Sequence, residues 1–509
     1  MSLPLTWRLK RRFWTRWQLL RFRLSKPQEI GTPGPTGAPL RVAPLGTIYP
    51  KIPLREVVAV EKVPRDEFPL GMRLLINTGL VLARWFPSMR PGLPEIDRDV
   101  DAALADAGID RYAKAFRAPV RPAVYASDGP TDLGRLAVAS PYAVLTERDV
   151  DGVLQWDLRR LADFEHHEGL CSLGVRVVFG EPSGSERLVA DRIESDELGV
   201  VTPADGGWSR ATSLAVCAAT THLALARHFL AVHLVSGDHW DVAARNRLPV
   251  DHPLYRLLWP HIFNSFYTNY GVTRVQMLPD GDFVNMFSFT HDGLMACFEA
   301  MYRSYDVALI EPAEDWSRRG LGDERFDHPT QTNLLELFEV MHAHTTRYLD
   351  AYYDDDGALR ADPAVAAWLG ELDGLVPNGL GGVAESPTKL RLSKLIAGYI
   401  HEGSTIHDMV GTTLWDYQLW ADHNPIRVSC DGRRVPVDVF QRMINNNFAL
   451  QIRRAPLLAD YGAVALDAEG AALFTRFHED CLALQAAYDA SPTGPWRMEP
   501  KHLEINMNG

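Results

Sequence analysis

Two histidines, His228 and His233, lie five residues apart in the apolar stretch "ARHFLAVHLV". Imidazole is the commonest metal ligand among protein side chains. In a regular α-helix, which turns about 100° per residue, side chains five positions apart point roughly 140° away from each other. A helix widened locally to π geometry brings such positions onto one face, and π-bulges are frequent at functional sites. The spacing therefore indicates either a metal clamp on a widened helix or two unrelated polar residues that each bond to nearby backbone.

Further histidines follow downstream. The segment "DHPLYRLLWPH" contains His252 and His261, and "LIAGYIHEGSTIHDMVGTTLWDYQ" contains His401 and His407. The six-residue gap within the second pair suits neither α nor π alignment. Glu402, which follows His401, does not complete the HExxH pattern of zinc proteases. We therefore expect His401 and Glu402 to line a pocket or to be structural.

The histidine series resembles that of a known family. His228-x4-His233-x18-His252-x8-His261 is similar to the histidine-rich signature of lipoxygenases, and "HPLYRLLWPH" is close to that family's HPxxxLLxPH segment. More diffuse similarity, in segments such as "YASDGPTDLGRLAVASPYAVLT" and "TPADGGWSRATSLAVCAAT", extends over residues 120–509. The resemblance implies that His228 and His233 bind non-haem iron and that the later two histidines belong to structural and polar networks. It also implies a mainly α fold, with a large lipoxygenase-like helical catalytic domain and a small β subdomain.

The resemblance also implies the remaining metal ligands. His407 matches the third iron histidine, and the ending "PKHLEINMNG" is similar to the family's terminal peptide, so the carboxylate of Gly509 is expected to bind the ion. Two positions depart from the family pattern. Gly411 replaces the usual asparagine ligand, so water, a backbone group or nothing would occupy that coordination position. Leu414 replaces a glutamine close to the metal.

Other residues are expected around the metal and its pocket. The family sets the position of oxygenation partly by a small residue shortly after the histidine segment, and Gly271, Val272 or Thr273 could match it. Arg427 lies about where some members carry a pocket-floor arginine, although we expect it to lie at the surface. Metal-bound histidines need partners that orient them, and the candidates are His252, Trp240 and Asp408.

The chemistry implied by the resemblance is dioxygenation. A hydrogen atom is removed from the doubly allylic carbon of a 1,4-diene in a polyunsaturated fatty acid, and O₂ adds to the radical to give a hydroperoxide, an oxylipin. Iron or manganese would suit such ligands. Two alternatives stay open. The first is an iron enzyme of the same fold with altered chemistry, such as a hydroperoxide isomerase, an epoxyalcohol synthase or an oxygenase of a non-lipid metabolite. The second is a metal-free lipid-binding protein.

Composition supports a large globular body. The chain has 509 residues, of which 46% are hydrophobic and 23% charged, and its net charge of −13 argues against a general nucleic-acid binder. Long helical patterns predominate, while "GLCSLGVRVVFGEPSGSERLVADRIE" alternates and favours a strand pair. No run of 18 apolar residues predicts a transmembrane helix. Five dispersed cysteines favour a reducing, cytoplasmic location.

Three regions are expected along the chain. Residues 1–26 carry eight Lys or Arg and no acidic residue, and they predict a basic amphipathic helix that either binds an anionic membrane surface or docks on its own acidic body. Residues 27–67 are rich in Pro and Gly and form a linker or a wrapping arm. Residues 68–509 form the catalytic domain, and no N-terminal β-sandwich of the eukaryotic type is evident.

Overall fold

Helices predominate in the computed structural model, and the strands among the described residues form two small antiparallel sheets, which confirms the expected fold class. The structure describes residues 30–34, 37, 39–64, 67, 100, 119–125, 130–180, 188–266, 273, 276–322, 327–433, 435, 455–491 and 496–505, together with Leu5, Leu9 and Phe13, but not the side chains of Thr412, Leu414 and Trp415.

The described helices fall into three kinds. The α-helices are α1 Leu45–Ile48, α2 Leu133–Leu136, α3 Trp208–His222, α4 Asp238–Arg247, α5 Pro253–Ile262, α6 Asp282–Met286, α7 His291–Arg303, α8 Pro312–Arg318, α9 Pro329–Tyr352, α10 Asp356–Ala361, α11 Pro363–Leu375, α12 Lys389–His401, α13 His407–Thr412 and α14 Ala468–Ala490. The π-helical stretches are Leu223–Gly237, Glu402–Ile406 and Thr413–Tyr417. Short 3₁₀ turns occupy Ala123–Tyr125, Pro141–Leu145, Arg159–Asp163, Val307–Ile310, Gly462–Val464 and Pro500–His502.

The central element is one continuous helix of 40 residues, Trp208–Arg247, made of α3, the first π stretch and α4. Its middle part, "LAVCAATTHLALARHFLAVHLV", is almost wholly apolar, which is typical of a helix buried all round. By length and composition the helix could cross a membrane, with a mean hydropathy of 1.3 in its most apolar window, but 89% of that window is buried inside the protein. The helix therefore forms the core around which the other helices pack.

The second core element is the segment that contains α12, two π stretches and α13. It begins at Thr388, whose hydroxyl accepts a hydrogen bond from the amide of Arg391 and so caps α12. Helix α9 packs along α12, and the hydroxyl of Thr345 donates to the carbonyl of Ser393 between them. The π stretches and α13 pack against the central helix, so this segment is held between α9 and the core.

The larger sheet is a five-stranded antiparallel meander of β3 Glu147–Arg148, β4 Leu154–Asp157, β5 Val175–Gly180, β6 Val189–Ser195 and β7 Gly199–Val201. Strands β5 and β6 confirm the strand pair predicted from the alternating sequence. Because side chains alternate between the faces of a strand, Val175, Val177 and Phe179 all point inward, where they are buried and β5 contacts α3. The sheet thus covers the first part of the central helix.

The Pro- and Gly-rich segment wraps the body. Strands β1 Val42–Pro44 and β2 Val58–Val60 pair antiparallel, and Leu45, Ile52 and Leu54 between them are fully buried. Nearby, the indole of Trp259 donates to the carbonyl of Gly31 at 2.6 Å. Apart from Leu5, Leu9 and Phe13, the predicted basic helix lies outside the described residues, as does almost all of the segment 68–118.

Candidate metal centre

The widened part of the central helix aligns His228 with His233. The first π stretch, Leu223–Gly237, contains both residues, and their Nε2 atoms lie 3.2 Å apart. The π geometry required by one of the two interpretations of their spacing is present, and it extends over 15 residues instead of a single turn. All 15 residues are buried, so tertiary packing on every side supports a backbone geometry that is rare in isolated helices.

A third imidazole reaches the same point from the second core segment. His407 begins α13 directly after the π stretch Glu402–Ile406, and its ring centroid lies 4.8 Å from that of His228 and 5.0 Å from that of His233. One ring nitrogen from each of the three histidines lies within 4.8 Å of the other two. The three side chains are at most 5% exposed, so the cluster is enclosed by protein.

Burial keeps the imidazoles of His228 and His407 in the form that binds metals. It lowers the pKa of His407 to about 3. Burial also holds the pKa of His228 well below its usual range, and the nearby His407 and His233 lower it further. Neutral imidazole offers a lone pair to a metal ion, whereas imidazolium does not. The Nε2 atom of His407 is buried and has no hydrogen-bond partner among the described residues. A buried polar atom without a partner is costly, and a transition-metal ion such as iron fits this donor set.

Asp408 orients the third histidine and ties it to the end of the chain. Its Oδ1 lies 3.1 Å from Nδ1 of His407, and its Oδ2 accepts a hydrogen bond of 2.8 Å from the amide of Glu504. Carboxylates in this position fix the ring orientation of metal-bound histidines. The amide of Ile505 is bonded in turn to the carbonyl of Ala455. The segment that leads to the last residues is therefore anchored beside α13.

Several sequence-predicted residues lie outside the described part of the chain. They are Gly271, Val272 and Gly509, and the side chain of Leu414 belongs with them. Gly411 is described: it is buried within α13, four residues beyond His407, and brings no side chain to that face of the helix. The roles assigned to these positions from the family resemblance stay predictions.

Two candidates for orienting the ligands have other partners. His252 caps α5: its Nδ1 accepts from the amide of Leu254, and its Nε2 lies 3.0 Å from Asp362. Trp240 stacks on Tyr399 with ring centroids 4.1 Å apart. Neither contact involves a residue of the histidine cluster, so the proposal that His252 orients a ligand has no support in these contacts. Of the three candidates, Asp408 is the one that contacts a histidine of the cluster.

The expectation that Arg427 lies at the surface is wrong. Its side chain is buried, and its guanidinium donates to the backbone carbonyls of Phe287 and Val284 at 2.9 Å each. Burial lowers its pKa to about 10, which leaves the group charged at neutral pH. The two carbonyls belong to a segment that is distant in the sequence, so the residues around Arg427 do not indicate that it is buried.

Sequence reasoning missed a largely buried aromatic wall beside His233. The ring of Phe229 lies 6.3 Å from that of His233, and it packs on Phe283 and Phe298 at 5.0 Å and 5.4 Å between centroids. Phe229 lies on the same π stretch as the histidines, whereas the other two come from α6 and α7. These rings exclude water from one side of the cluster. A single Phe in an apolar run gives no sign of such a role.

Glu402 is a buried carboxyl behind the cluster. It opens the π stretch that precedes His407, it is fully buried, and neither carboxyl oxygen has a hydrogen-bond partner among the described residues. Burial raises its pKa to about 7, against the opposing effect of Arg227. His401 beside it is also fully buried, with its ring 5.9 Å from that of Phe338. These positions agree with the structural role expected for both residues.

The comparisons with known proteins agree with this geometry. The lipoxygenase family model matches residues 199–376, which include His228 and His233 but not His407. A putative linoleate 9S-lipoxygenase 3 of Oryza sativa subsp. japonica is 25% identical over 271 residues, which cover 50% of this chain and 31% of the relative. A linoleate 9/13-lipoxygenase of Pseudomonas aeruginosa is 28% identical over 171 residues, which cover 33% of this chain and 25% of the relative. The chain thus matches about a third or less of the length of these curated relatives.

Solved structures show the same fold. A lipoxygenase deletion variant, crystallised anaerobically in complex with arachidonate, superposes with a TM-score of 0.70 at 13% identity and covers 100% of this chain and 82% of the other. A calcium-dependent 11R-lipoxygenase gives a TM-score of 0.66 at 16% identity, covering 88% and 72% of the two chains. Fold and site together define a large helical domain built around three convergent histidines. The chain is similar to the lipoxygenase family in part of its sequence and shares the fold of its members.

The buried carboxyl of Glu402 predicts a pH-dependent cost to stability. Because its pKa is about 7 in the folded protein and its usual value is 4.5, ionisation favours unfolding. The cost grows as the pH rises from about 4.5 to 7, up to about 3 kcal/mol. Glu402→Gln lacks this cost, so its free energy of unfolding relative to wild type should increase between pH 5 and pH 8. Denaturant titrations at the two pH values measure the difference, and a constant difference would contradict the assignment.

Proposed function

We propose that the protein is a non-haem iron dioxygenase that inserts O₂ into a polyunsaturated fatty acid to give a hydroperoxide. The observation that carries the proposal is the convergence of three buried imidazoles within 4.8 Å on two π-containing helices. Relatives at 25–28% identity are named linoleate lipoxygenases, and a structure of the same fold holds arachidonate. The proposed substrate class follows from these names together with the apolar surroundings of the cluster.

In this proposal His228, His233 and His407 hold the ion, and the carboxylate of Gly509 completes the set. The anchoring of Glu504 on Asp408 supports an approach of the chain end to the cluster. When bound, iron supplies the one-electron chemistry that removes a hydrogen atom from the doubly allylic carbon of a 1,4-diene. Manganese fits the same ligands.

The protein's own residues orient the ligands and exclude water. Asp408 holds the ring of His407 through Nδ1, which leaves Nε2 for the ion. The wall of Phe229, Phe283 and Phe298 keeps the side next to His233 apolar. An apolar surface suits a hydrocarbon chain, and it prevents water from competing with the fatty acid.

Gly411 favours one alternative. It stands where the resemblance places an asparagine ligand, and it offers no side chain to an ion. Altered ligation is consistent with an enzyme of the same fold that rearranges hydroperoxides or oxidises a non-lipid metabolite. Consumption of linoleate hydroperoxide without O₂ uptake would identify such a hydroperoxide isomerase or epoxyalcohol synthase. Complete absence of bound iron or manganese would instead favour a metal-free lipid-binding protein.

The decisive experiment combines metal content with oxygen uptake. Iron-loaded wild-type protein is expected to hold one iron per chain at the histidines and to consume O₂ with a polyunsaturated fatty acid such as linoleate. His233→Ala should lose both properties, because it removes one of the three imidazoles. The matched control is His478→Ala, which removes a half-buried imidazole from α14 and should keep both properties.

Two results would contradict this proposal. One is a His233→Ala protein that keeps its iron or its turnover. The other is a wild-type protein that binds iron but takes up no O₂ across a panel of polyunsaturated fatty acids. The first outcome would refute the assignment of the metal site. The second would refute only the proposed reaction and would leave a metal site of different chemistry.

We also propose that the protein is cytoplasmic and binds anionic membrane surfaces through residues 1–26. Leu5, Leu9 and Phe13, spaced four residues apart, are helical and 48–64% exposed. An exposed apolar stripe on a basic helix suits an anionic lipid surface. Deleting residues 1–26 should abolish co-sedimentation with anionic vesicles, while neither protein should sediment with neutral phosphatidylcholine vesicles. Unchanged binding after the deletion would favour the other interpretation, a helix docked on the acidic body.

A further inference from the structure

Two cysteines far apart in the sequence are brought together by a short backbone pairing. Leu170 lies opposite Ser429 in an isolated antiparallel bridge. The amide of Cys171 donates to Val428 at 2.8 Å, and the amide of Cys430 donates to Gly169 at 3.0 Å. Because side chains alternate along an extended strand, Cys171 and Cys430 both point to the face opposite to Leu170 and Ser429.

Glu197 reaches the same face from the turn between β6 and β7. Its Oε1 accepts a hydrogen bond of 3.2 Å from the amide of Ser172. The two sulfur atoms and one carboxylate oxygen all lie within 4.8 Å of one another. Cys171 is fully buried, whereas Cys430 and Glu197 are exposed. The group therefore has a fixed inner ligand and two outer ligands that solvent can reach.

Arg210 supplies a compensating charge. From the first turn of α3, its guanidinium donates to the carbonyls of Ser429 and Cys430 and lies 3.8 Å from Sγ of Cys171. Two thiolates and a carboxylate bring one more negative charge than a divalent ion neutralises, and the guanidinium offsets that excess. Without an ion, burial raises the pKa of Cys171 to about 11, so its thiol is protonated at neutral pH.

We propose that Cys171, Cys430 and Glu197 bind a thiophilic divalent cation of the zinc class, at a site separate from the histidine centre. In a tetrahedral zinc site with Zn–S distances of about 2.3 Å, the sulfurs lie about 3.8 Å apart. The donor atoms reach that geometry with shifts of about 1 Å or less. Water would fill the fourth position. A disulfide needs the sulfurs at about 2.05 Å, whereas both cysteines are free thiols in this structure.

The two sites are distant along the central helix. Arg210, at the first site, precedes His228 by 18 residues, on the order of 25 Å at about 1.5 Å per residue. The ion would add a further link between three pieces that are distant in the sequence and already hydrogen-bonded to one another: the 169–171 segment, the β6–β7 turn and the 428–430 segment. Its role is therefore structural, and it does not depend on the reaction at the histidines.

Cobalt(II) titration of the reduced, metal-free full-length protein tests the site. Thiolate ligation gives a sulfur-to-cobalt charge-transfer absorption that imidazole ligation does not give. Wild-type protein should develop this band, saturating at one equivalent per chain. Cys430→Ser, at an exposed position that tolerates the change, should lose it. Glu197→Gln should weaken cobalt binding at this site by at least about tenfold, since losing even an outer partner of a metal site costs that much.

The matched control is Cys481→Ser, which removes a buried cysteine of α14 and should keep the band. The iron content of the histidine centre should be the same in Cys430→Ser and wild type, which separates this site from the proposed oxygenase centre. Absence of the band in wild type, or its retention in Cys430→Ser, would overturn the proposal. So would an air-exposed wild-type protein whose mass is lower by two hydrogens and which takes up no cobalt through sulfur, since that result assigns the pair to a disulfide.

Discussion

The histidine centre depends on one backbone irregularity, the π register of the central helix between Leu223 and Gly237. In a regular α-helix His228 and His233 would diverge by roughly 140°, and no side-chain rotamer could bring both ring nitrogens to one point. The widened register places them 3.2 Å apart. A π-helix has poorer packing along its own axis, and this one is accommodated because all of its residues are buried against other elements.

The segment that contains α13 and His407 has the same irregularity. Two further π stretches, Glu402–Ile406 and Thr413–Tyr417, flank α13, which begins with His407. The irregular parts of the two helices pack against each other, so the cluster forms where both depart from α geometry. Asp408 then couples this junction to Glu504. The site is consequently a property of two buried helices and of the segment that leads to the chain end.

The local sequence predicted those features that depend on residues close to one another in the chain. The apolar run predicted a fully buried helix, and the alternating segment predicted the pairing of β5 with β6. The five-residue histidine spacing left π geometry as one of two interpretations, and the fold decides between them. The ring of His252 caps α5 and contacts Asp362, which agrees with the polar-network role that the resemblance implies, and its role in orienting a ligand stays a prediction. The expectation that failed depends on distant partners. Arg427 was expected at the surface, but it is buried because its guanidinium donates to two backbone carbonyls about 140 positions away in the sequence.

Other long-range features were equally invisible. The length of the π stretch depends on packing around the whole helix, and the wall of Phe229, Phe283 and Phe298 comes from three separate elements. Cys171 and Cys430 are separated by about half of the chain and meet through two backbone hydrogen bonds. Spacing arguments apply within one element, whereas a site assembled from several elements requires their tertiary arrangement.

The most direct test of the central claim moves one histidine by one residue. In Val232→His/His233→Val, the imidazole is turned by roughly 80–100° around the helix axis. The spacing becomes four residues, which suits an α-helix and not the π register observed. Iron analysis should find that this double variant loses the bound ion, while the control Val232→His, which keeps His233, retains it. A double variant that folds and binds one iron per chain as tightly as wild type would contradict the account.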